Sequence, residues 1–567
     1  MKVTKIVICA LLILSFAAPA MAYSDSVEEF LRRYDPSKSE PARPGQSAAD
    51  LAQLLQTGVV PITMNDVVNM LMENNLDVRT NRMNPRSSYL QSLVFYKALQ
   101  PAITFSGLVG RNTILSTTQL NGATASSQLS GSYSAGFSQL LPTGTSLAVT
   151  ATMNRLSSNS ILSTFNPSYT GRIVYSVGQH LLQNRGRLVN TYQILEGMNS
   201  EKISESQFET QLMTLVQTAQ KAYWDLTFAN EDLNVKRRAL GLTQRTLDEN
   251  KLKVEIGTLA PIDLVQTEAE MATWCDQIVI SDSNVTTTED QIKKLTSSDK
   301  DPTMFLVRFR PADSPVGPNQ VQIPALEDAV RIALENRPEI RQAMLDRDNK
   351  DIDIQYRKNQ KLPVFDVTAS YVQNGTGGVQ TVRGNVLGAS QVLNVIPGGI
   401  ANALQQLFGY GYTGYNVGFS VTIPLNNKAA DADLSRALND RQISQNRLDV
   451  VIQQVALDVR NALTQVQMNR SRIDTTEAAL KLARQKLDAE QQKFELGTST
   501  LRFVLEEQQN VAQAETNELQ TVVNFNKSLV DLDKATGMTL KKNNIEFEKA
   551  LSPVAANSKK SSEIAAR

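Results

Sequence analysis

Histidine is nearly missing from this chain. His180 stands alone, so neither a histidine-rich metal site nor a series of imidazole relays can be built. Cysteine is almost as scarce, with Cys9 and Cys275 only, too few for a disulfide framework. Cys9 falls in a leader, and Cys275, on an expected helix, reads as a small packing residue rather than a nucleophile. Net charge is absent as well: 57 Lys and Arg balance 57 Asp and Glu, which removes the basic footprint a nucleic-acid binder needs. Aromatics are 6%, and after the first 22 residues no run reaches the roughly 18 consecutive apolar residues of a membrane helix. No activated nucleophile, paired acid and base or phosphate loop stands out. The chain reads as neither an enzyme nor a cofactor protein.

What is present begins with a leader. Lys2 and Lys5 precede the apolar run "IVICALLILSF", and Ala20-Met21-Ala22 supplies a small-x-small cleavage site, the pattern of a secretory signal over residues 1–22. No cysteine follows the cleavage site, so no lipid anchor is expected on the mature N-terminus. Residues 23–60 form an extension without clear periodicity, and the lysine- and serine-bearing residues 543–567 read as a disordered tail.

Between these ends the sequence repeats itself. "ALENRPEIRQ" (333–342) echoes "LMENNLDVRT" (71–80). "KVEIGTLAPIDLV" and "KFELGTSTLRFVL" place Gly257-Thr258 and Gly497-Thr498 at matching corners. Each corner ends an unbroken heptad line. Leu212, Ala219, Leu226, Leu233, Leu240, Leu247 and Val254 lead to the first; Ile452, Val459, Val466, Ile473, Leu480, Leu487 and Phe494 lead to the second. A seven-residue apolar period implies supercoiled packing between helices. Each unit thus holds a helix of about 68 residues, roughly 100 Å long. It turns at a glycine suited to the left-handed C′ position and returns in a helix about half as long, with Pro261 in the first turn of the first return. The expected repeats are 61–298 and 323–542, joined by a Pro- and Asp-rich crossing at 299–322 with a possible short strand.

Within each repeat the period falls to two. "VFDVTASYV" and "YNVGFSVTI" alternate apolar with Ser, Thr, Gly, Asn or Asp, as do "ITFSGLVG" and "RIVYSVGQ" in the first repeat. Strands are therefore expected across 103–179 and 364–423. A soluble sandwich alternates in this way, and so does a transmembrane barrel with an apolar outside and a small polar inside. Too few strands lie in one chain to close a barrel, so several chains would have to share one. The first repeat carries extra residues, read as the hairpin "SYSAGFSQLLPTGTSLAVTATM" and giving six strands per chain. The turn Pro142-Thr143-Gly144 would then be periplasmic, and polar loops near 111–130 and 155–169 extracellular.

The openings "ITMNDVVNMLMENN" and "PALEDAVRIALENRPEI", the strand exit "SVTIPL" and the two corners with their long helices resemble the TolC family of outer-membrane efflux and export channels. The resemblance covers roughly residues 60 to 540. It implies a mixed α and β membrane protein that is a homotrimer. A shared transmembrane β-barrel in outer-membrane lipid would continue into a periplasmic α-helical coiled-coil tunnel. It also implies docking to a periplasmic adaptor (membrane fusion) protein and an inner-membrane pump or ABC transporter, and the role of exit duct for a tripartite efflux pump or type I secretion system. The corners Gly257, Thr258, Gly497 and Thr498 would then lie at the tunnel mouth and take part in adaptor docking. The family's acids after the second corner fall here on Phe503 and Glu506, with Glu507 adjacent, while Asp263 holds the first acid's place in the first repeat. These four are the aperture and gating candidates. Carboxylates of three chains meeting on an axis would repel and favour a counter-cation; the plain alternative for Glu506 and Glu507 is a solvated helix face. The competing reading of the chain is a non-channel periplasmic or surface coiled-coil protein, structural or an adaptor.

Overall fold

A computed structural model describes residues 59–116, 124–161, 163–257, 260–297, 305, 307–384 and 391–546. The leader, nearly all of the N-terminal extension, Thr258, part of the crossing (299–304 and 306) and residues 547–567 lie outside the described residues. The rest divides into two compact units. Of the described residues, one unit holds those within 89–199 and 347–443, the other those within 59–88, 200–346 and 444–546.

The second unit is helical. The chain enters it through β1 (Val59–Ile62), whose register runs parallel to β6 (Arg308–Pro311), Val60 opposite Phe309. The sequence reading ended an extension without clear periodicity at residue 60, and the strand crosses that boundary. Four residues are too few to show a period. Val60 and Ile62 alternate into the core with Phe309, which is what fixes the pair.

Helix α1 (Met64–Asn74) opens on a capping box: Thr63 Oγ1 accepts from Asp66 N (3.2 Å), and Asp66 Oδ2 accepts from Thr63 N (3.0 Å). Two of the orphan amides of a helix start are satisfied in this way. Helix α2 (Leu76–Val94) follows after Asn75, whose Oδ1 accepts from Val78 N at 2.9 Å.

The long helices are α3 (Arg187–Glu255, 69 residues) and α8 (Lys428–Glu495, 68 residues). The return helices are α4 (Pro261–Thr296, 36 residues) and α9 (Leu501–Ala535, 35 residues). Along α3 the heptad residues Leu212, Ala219, Leu226, Leu233 and Leu247 are buried; along α8 so are Val459, Val466, Ile473 and Leu480. Each fully buried leucine contributes about 1.5–3 kcal/mol, so these lines define the helical core. Trp224 lies in it, edge-on to Tyr223. Cys275 is exposed, which corrects its reading as a packing residue: on α4 the buried face is that of Thr267, Trp274, Ser281, Val285 and Ile292. At the C-terminus, Asn543 Oδ1 accepts from Gln220 (2.9 Å), and Ile545 packs on the core. The ordered chain therefore runs past residue 542, the end assigned from sequence.

The first unit is built on a sheet of seven strands: β2 (Ala102–Leu115), β3 (Ala125–Leu140), β4 (Thr145–Ser158), β5 (Phe165–His180), β7 (Val364–Arg383), β8 (Val392–Ile396) and β9 (Thr413–Thr422). All pairings are antiparallel, in the order β2-β3-β4-β5-β7, after which the outer edge of β7 is shared by β9 and β8. The extra hairpin of the first repeat is β3–β4, set inside the sheet. The strands run further than the sequence suggested: 111–115, 125–130, 155–158 and 165–169 are strand.

Register separates two faces. Ile103, Phe105 and Val109; Tyr133, Ala135 and Phe137; Leu147, Val149 and Ala151; Ile173, Tyr175 and Val177; Phe365, Val367 and Ala369; and Val417, Phe419 and Val421 share one face across the pairings. The opposite face carries chiefly Ser, Thr, Gly and Asn, with His180 Nδ1 2.6 Å from Asp366 Oδ1 at one end.

The second strand region contains an element the alternation hid. Helix α7 (Ile400–Phe408) lies on the apolar face, over β7 and β5. It approaches so closely that a Cβ at Gly375 would meet Ala403 O at 2.2 Å, and one at Gly377 would meet Gly399 O at 2.4 Å. Before the sheet, α5 (Leu326–Asn336) and α6 (Pro338–Gln360) form the second helix pair.

Candidate functional site

Both corners are closed by backbone geometry that only glycine adopts at low cost. Gly257 has φ +80° and Gly497 φ +77°, in the left-handed region that β-carbons disfavour. At the second corner Gly497 N donates to Phe494 O (3.0 Å) and Thr498 N to Lys493 O (2.9 Å), the two bonds of a Schellman motif. Thr498 Oγ1 adds a third bond to Lys493 O at 3.1 Å. At the first corner Gly257 N donates to Val254 O at 3.0 Å. The return helices start alike: Asp263 N donates to Ala260 O (3.0 Å), and Phe503 N to Thr500 O (3.1 Å). Ala260 places Pro261 at the first helical position, where its missing N–H costs nothing.

The corners are tied together by side chains. Lys253 Nζ stands 5.1 Å from the ring centre of Phe494. Further in, Gln509 Nε2 donates to Glu270 Oε2 (2.5 Å), joining α4 to α9. Glu515 takes Arg484 of α8 (2.7 Å) and Arg238 of α3 (3.4 Å). Ser499 donates to Glu490, which also pairs with Lys493 at 3.0 Å. These contacts, the Ser499 bond first, hold the Glu490 carboxyl below its usual range.

The four aperture candidates do not share one environment. Phe503 is 52% exposed and Glu506 is exposed one turn later on the same face of α9. Asp263 is half-buried in the first turn of α4. Glu507 is buried, 6% exposed, and accepts Lys486 Nζ at 2.6 Å; that hydrogen bond, then the carboxylate's charge, raises the Lys486 pKa. Within the chain, Glu507 thus binds α9 to α8, and Glu506 is the free carboxylate of the two.

Polar residues that sequence reading passed over form a node between α3, α4 and α9. Asp232 accepts from Lys236 (2.7 Å), Ser281 (3.0 Å) and Thr516 (3.1 Å). The i,i+4 spacing of Asp232 and Lys236 was the available signal; the partners on other helices had none. Among the described residues no group of three or more His, Cys, Asp or Glu could hold a metal ion, and no helix is long and apolar enough to cross a membrane.

With the sheet and the long helix pairs described, the chain can be compared with known proteins. Residues 329–538 match the family described as outer membrane efflux protein. The fold is that of solved channels at low identity. The Campylobacter jejuni CmeC outer membrane channel matches at 16% identity and TM-score 0.58, covering 86% of this chain and 90% of that one. The Neisseria gonorrhoeae MtrE outer membrane channel, in its open state, matches at 17% and 0.55, covering 84% and 89%. The Vibrio cholerae outer membrane protein VceC matches at 12% and 0.57, covering 84% and 96%. No curated protein matches the chain.

Proposed function

We propose that three copies of this chain, each two repeats of one unit, assemble into the exit duct of a tripartite efflux pump or type I secretion system. In this reading the duct crosses the outer membrane and reaches into the periplasm, where it meets an adaptor and an inner-membrane transporter. The observation that carries the reading is the sheet: one face is apolar and exposed, and among the described residues β2 and β9 end it with unpaired edges. Ile103, Phe105, Val417 and Phe419 are 67%, 80%, 73% and 76% exposed. Such a face suits lipid, but open strand edges do not survive there. Closure by further copies satisfies both conditions. Six strands side by side from each of three chains give roughly 18, in the range that leaves an aqueous channel.

The corners would then converge as the periplasmic mouth. Phe503 and Glu506 would line it, Asp263 would stand in the equivalent place of the other corner, and Glu507 would keep each hairpin tip together. Gly257, Thr258, Gly497 and Thr498 would form the tips presented to the adaptor.

The test is reconstitution of the full chain in planar bilayers with the mass of the detergent-solubilised species measured in parallel. A trimer with discrete single-channel currents is expected. A monomer that stays soluble without detergent and conducts nothing would overturn the reading in favour of a non-channel coiled-coil protein.

A further inference from the structure

The apolar face of the sheet is not uniform. Helix α7 stands on it as a wall, and beside that wall the floor of β2–β5 leaves a groove of about 580 Å³. Phe105, Tyr133, Ala151 and Met153 line its floor, and Leu404 and Phe408 line its side. The groove exists because Gly171, Gly375 and Gly377 let the helix down onto the strands: a Cβ at Gly171 would meet Leu407 Cδ2 at 3.3 Å. The outer side of α7 is apolar as well, with Ile400 48% and Phe408 41% exposed.

Charge is distributed to one purpose along this face. Residues 101–180 contain no Asp or Glu, and Asp366 is the only acid in 364–423; it lies on the opposite face, paired with His180. The top of the groove is the cross-strand row Gly107, Tyr133, Met153 and Gly171. One row further toward the 159–164 loop come Val109, Gly131, Arg155 and Tyr169 on the same face, so Arg155 stands about 7 Å above the groove's upper row. Arg111 follows one row beyond, its Nε donating to Ser127 Oγ at 3.2 Å. Among the described residues no carboxylate pairs with either arginine.

We propose that this groove binds one acyl chain of an anionic membrane lipid, whose phosphate is held by Arg155 and Arg111. An apolar groove beside two guanidinium groups that no carboxylate among the described residues neutralises matches an amphiphile with a hydrocarbon tail and an acidic head. Guanidinium suits phosphate in particular, because its planar fork can donate two hydrogen bonds at once. The occupant is a phospholipid rather than a free phosphate, since the larger part of the site is hydrocarbon-sized and apolar. The inference rests on the apolar face being the lipid-facing one.

The test is native mass spectrometry of the full chain in detergent, with phosphatidylglycerol or phosphatidylcholine added. The wild type is expected to retain phosphatidylglycerol several-fold over phosphatidylcholine. The variant Arg111→Gln with Arg155→Gln should retain the two equally, and Ala151→Phe, which fills the groove, should lose both. An unchanged preference in the double arginine variant, or unchanged retention in Ala151→Phe, overturns the site. A separate arm places tryptophan at Val417, far from the groove, and measures quenching by brominated phospholipid in vesicles. Quenching there with no arginine effect sinks only the lipid site. Absence of quenching sinks the outward reading of the face and the lipid site with it.

Discussion

Lys486 Nζ and Glu507 Oε1 lie 2.6 Å apart, one side chain 66% exposed and the other 8%. The pair clamps α8 to α9, and its asymmetry sets an order of consequences. Lys486→Met leaves a buried carboxylate without its cation, whereas Glu507→Gln removes the charge and keeps a hydrogen-bonding amide. Thermal melting should therefore fall further in Lys486→Met than in Glu507→Gln. The reverse order would mean that Glu507 is stabilised by something other than this lysine.

The aperture reading separates Glu506 from its neighbour. Because Glu506 is exposed and Glu507 is engaged within the chain, Glu506→Gln should change cation block or ion selectivity in single-channel records. Glu507→Gln should alter them only to the extent that the tip loosens. Identical currents and block in Glu506→Gln and wild type would remove Glu506 from the mouth.

The corner glycines give a prediction on backbone grounds alone. A Cβ at either Gly257 or Gly497 meets nothing within 4 Å, so alanine brings no clash, only the left-handed conformation's penalty of about 1–2 kcal/mol. Gly497→Asn, which tolerates that conformation better, should cost less than Gly497→Ala. Equilibrium unfolding of the two variants measures the difference.

At Gly375 the reason for glycine is the opposite one, since space rather than φ is limiting. Gly375→Ala would drive its methyl into Ala403 O and should lift α7, raising amide exchange across 400–408. Gly414→Ala, where nothing stands within 4 Å, is the control and should leave that exchange as it is.

Acid should open the second corner early. Glu490 is held below its usual value by Ser499 and Lys493. Its stabilising contribution is therefore complete above the unfolded-state value of roughly 4.3 and is lost as pH falls through the lower folded value. Protection factors at residues 494–500, exchange rates corrected for the intrinsic pH dependence, should fall on going from pH 6 to pH 3, and Glu490→Gln should show the lower protection already at pH 6.

Much of this was legible because it is periodic. The heptad lines ending in Val254 and Phe494 mark the buried stripe of each long helix, and glycine plus a changed period marks each corner. The β3–β4 hairpin was visible for the same reason, Tyr133, Ala135 and Phe137 alternating before Pro142. Helix α7 was not: "IANALQQLF" spans only two and a half turns inside a Gly-rich stretch that reads as loop. The His180–Asp366 pair and the Lys486–Glu507 clamp were hidden too. Strand register across 186 residues and the tightness of a helix corner, respectively, decide those contacts, and neither follows from residue type.

The outer edge of β7 is divided. β9 covers it from Val364 to Gln373, and β8 resumes at Gln380. Between them Asn374 N donates to Tyr412 O (2.9 Å) and Thr376 N to Gln406 Oε1 (3.0 Å). A glutamine side chain on α7 thus substitutes for a missing strand. The chain's last strand therefore cannot creep along its neighbour toward the loops without colliding with that stopper, and a slip of a single residue would turn every group of the apolar face to the opposite one. In the proposed assembly, a copy joining at β9 would meet an edge whose place within its own chain has already been indexed.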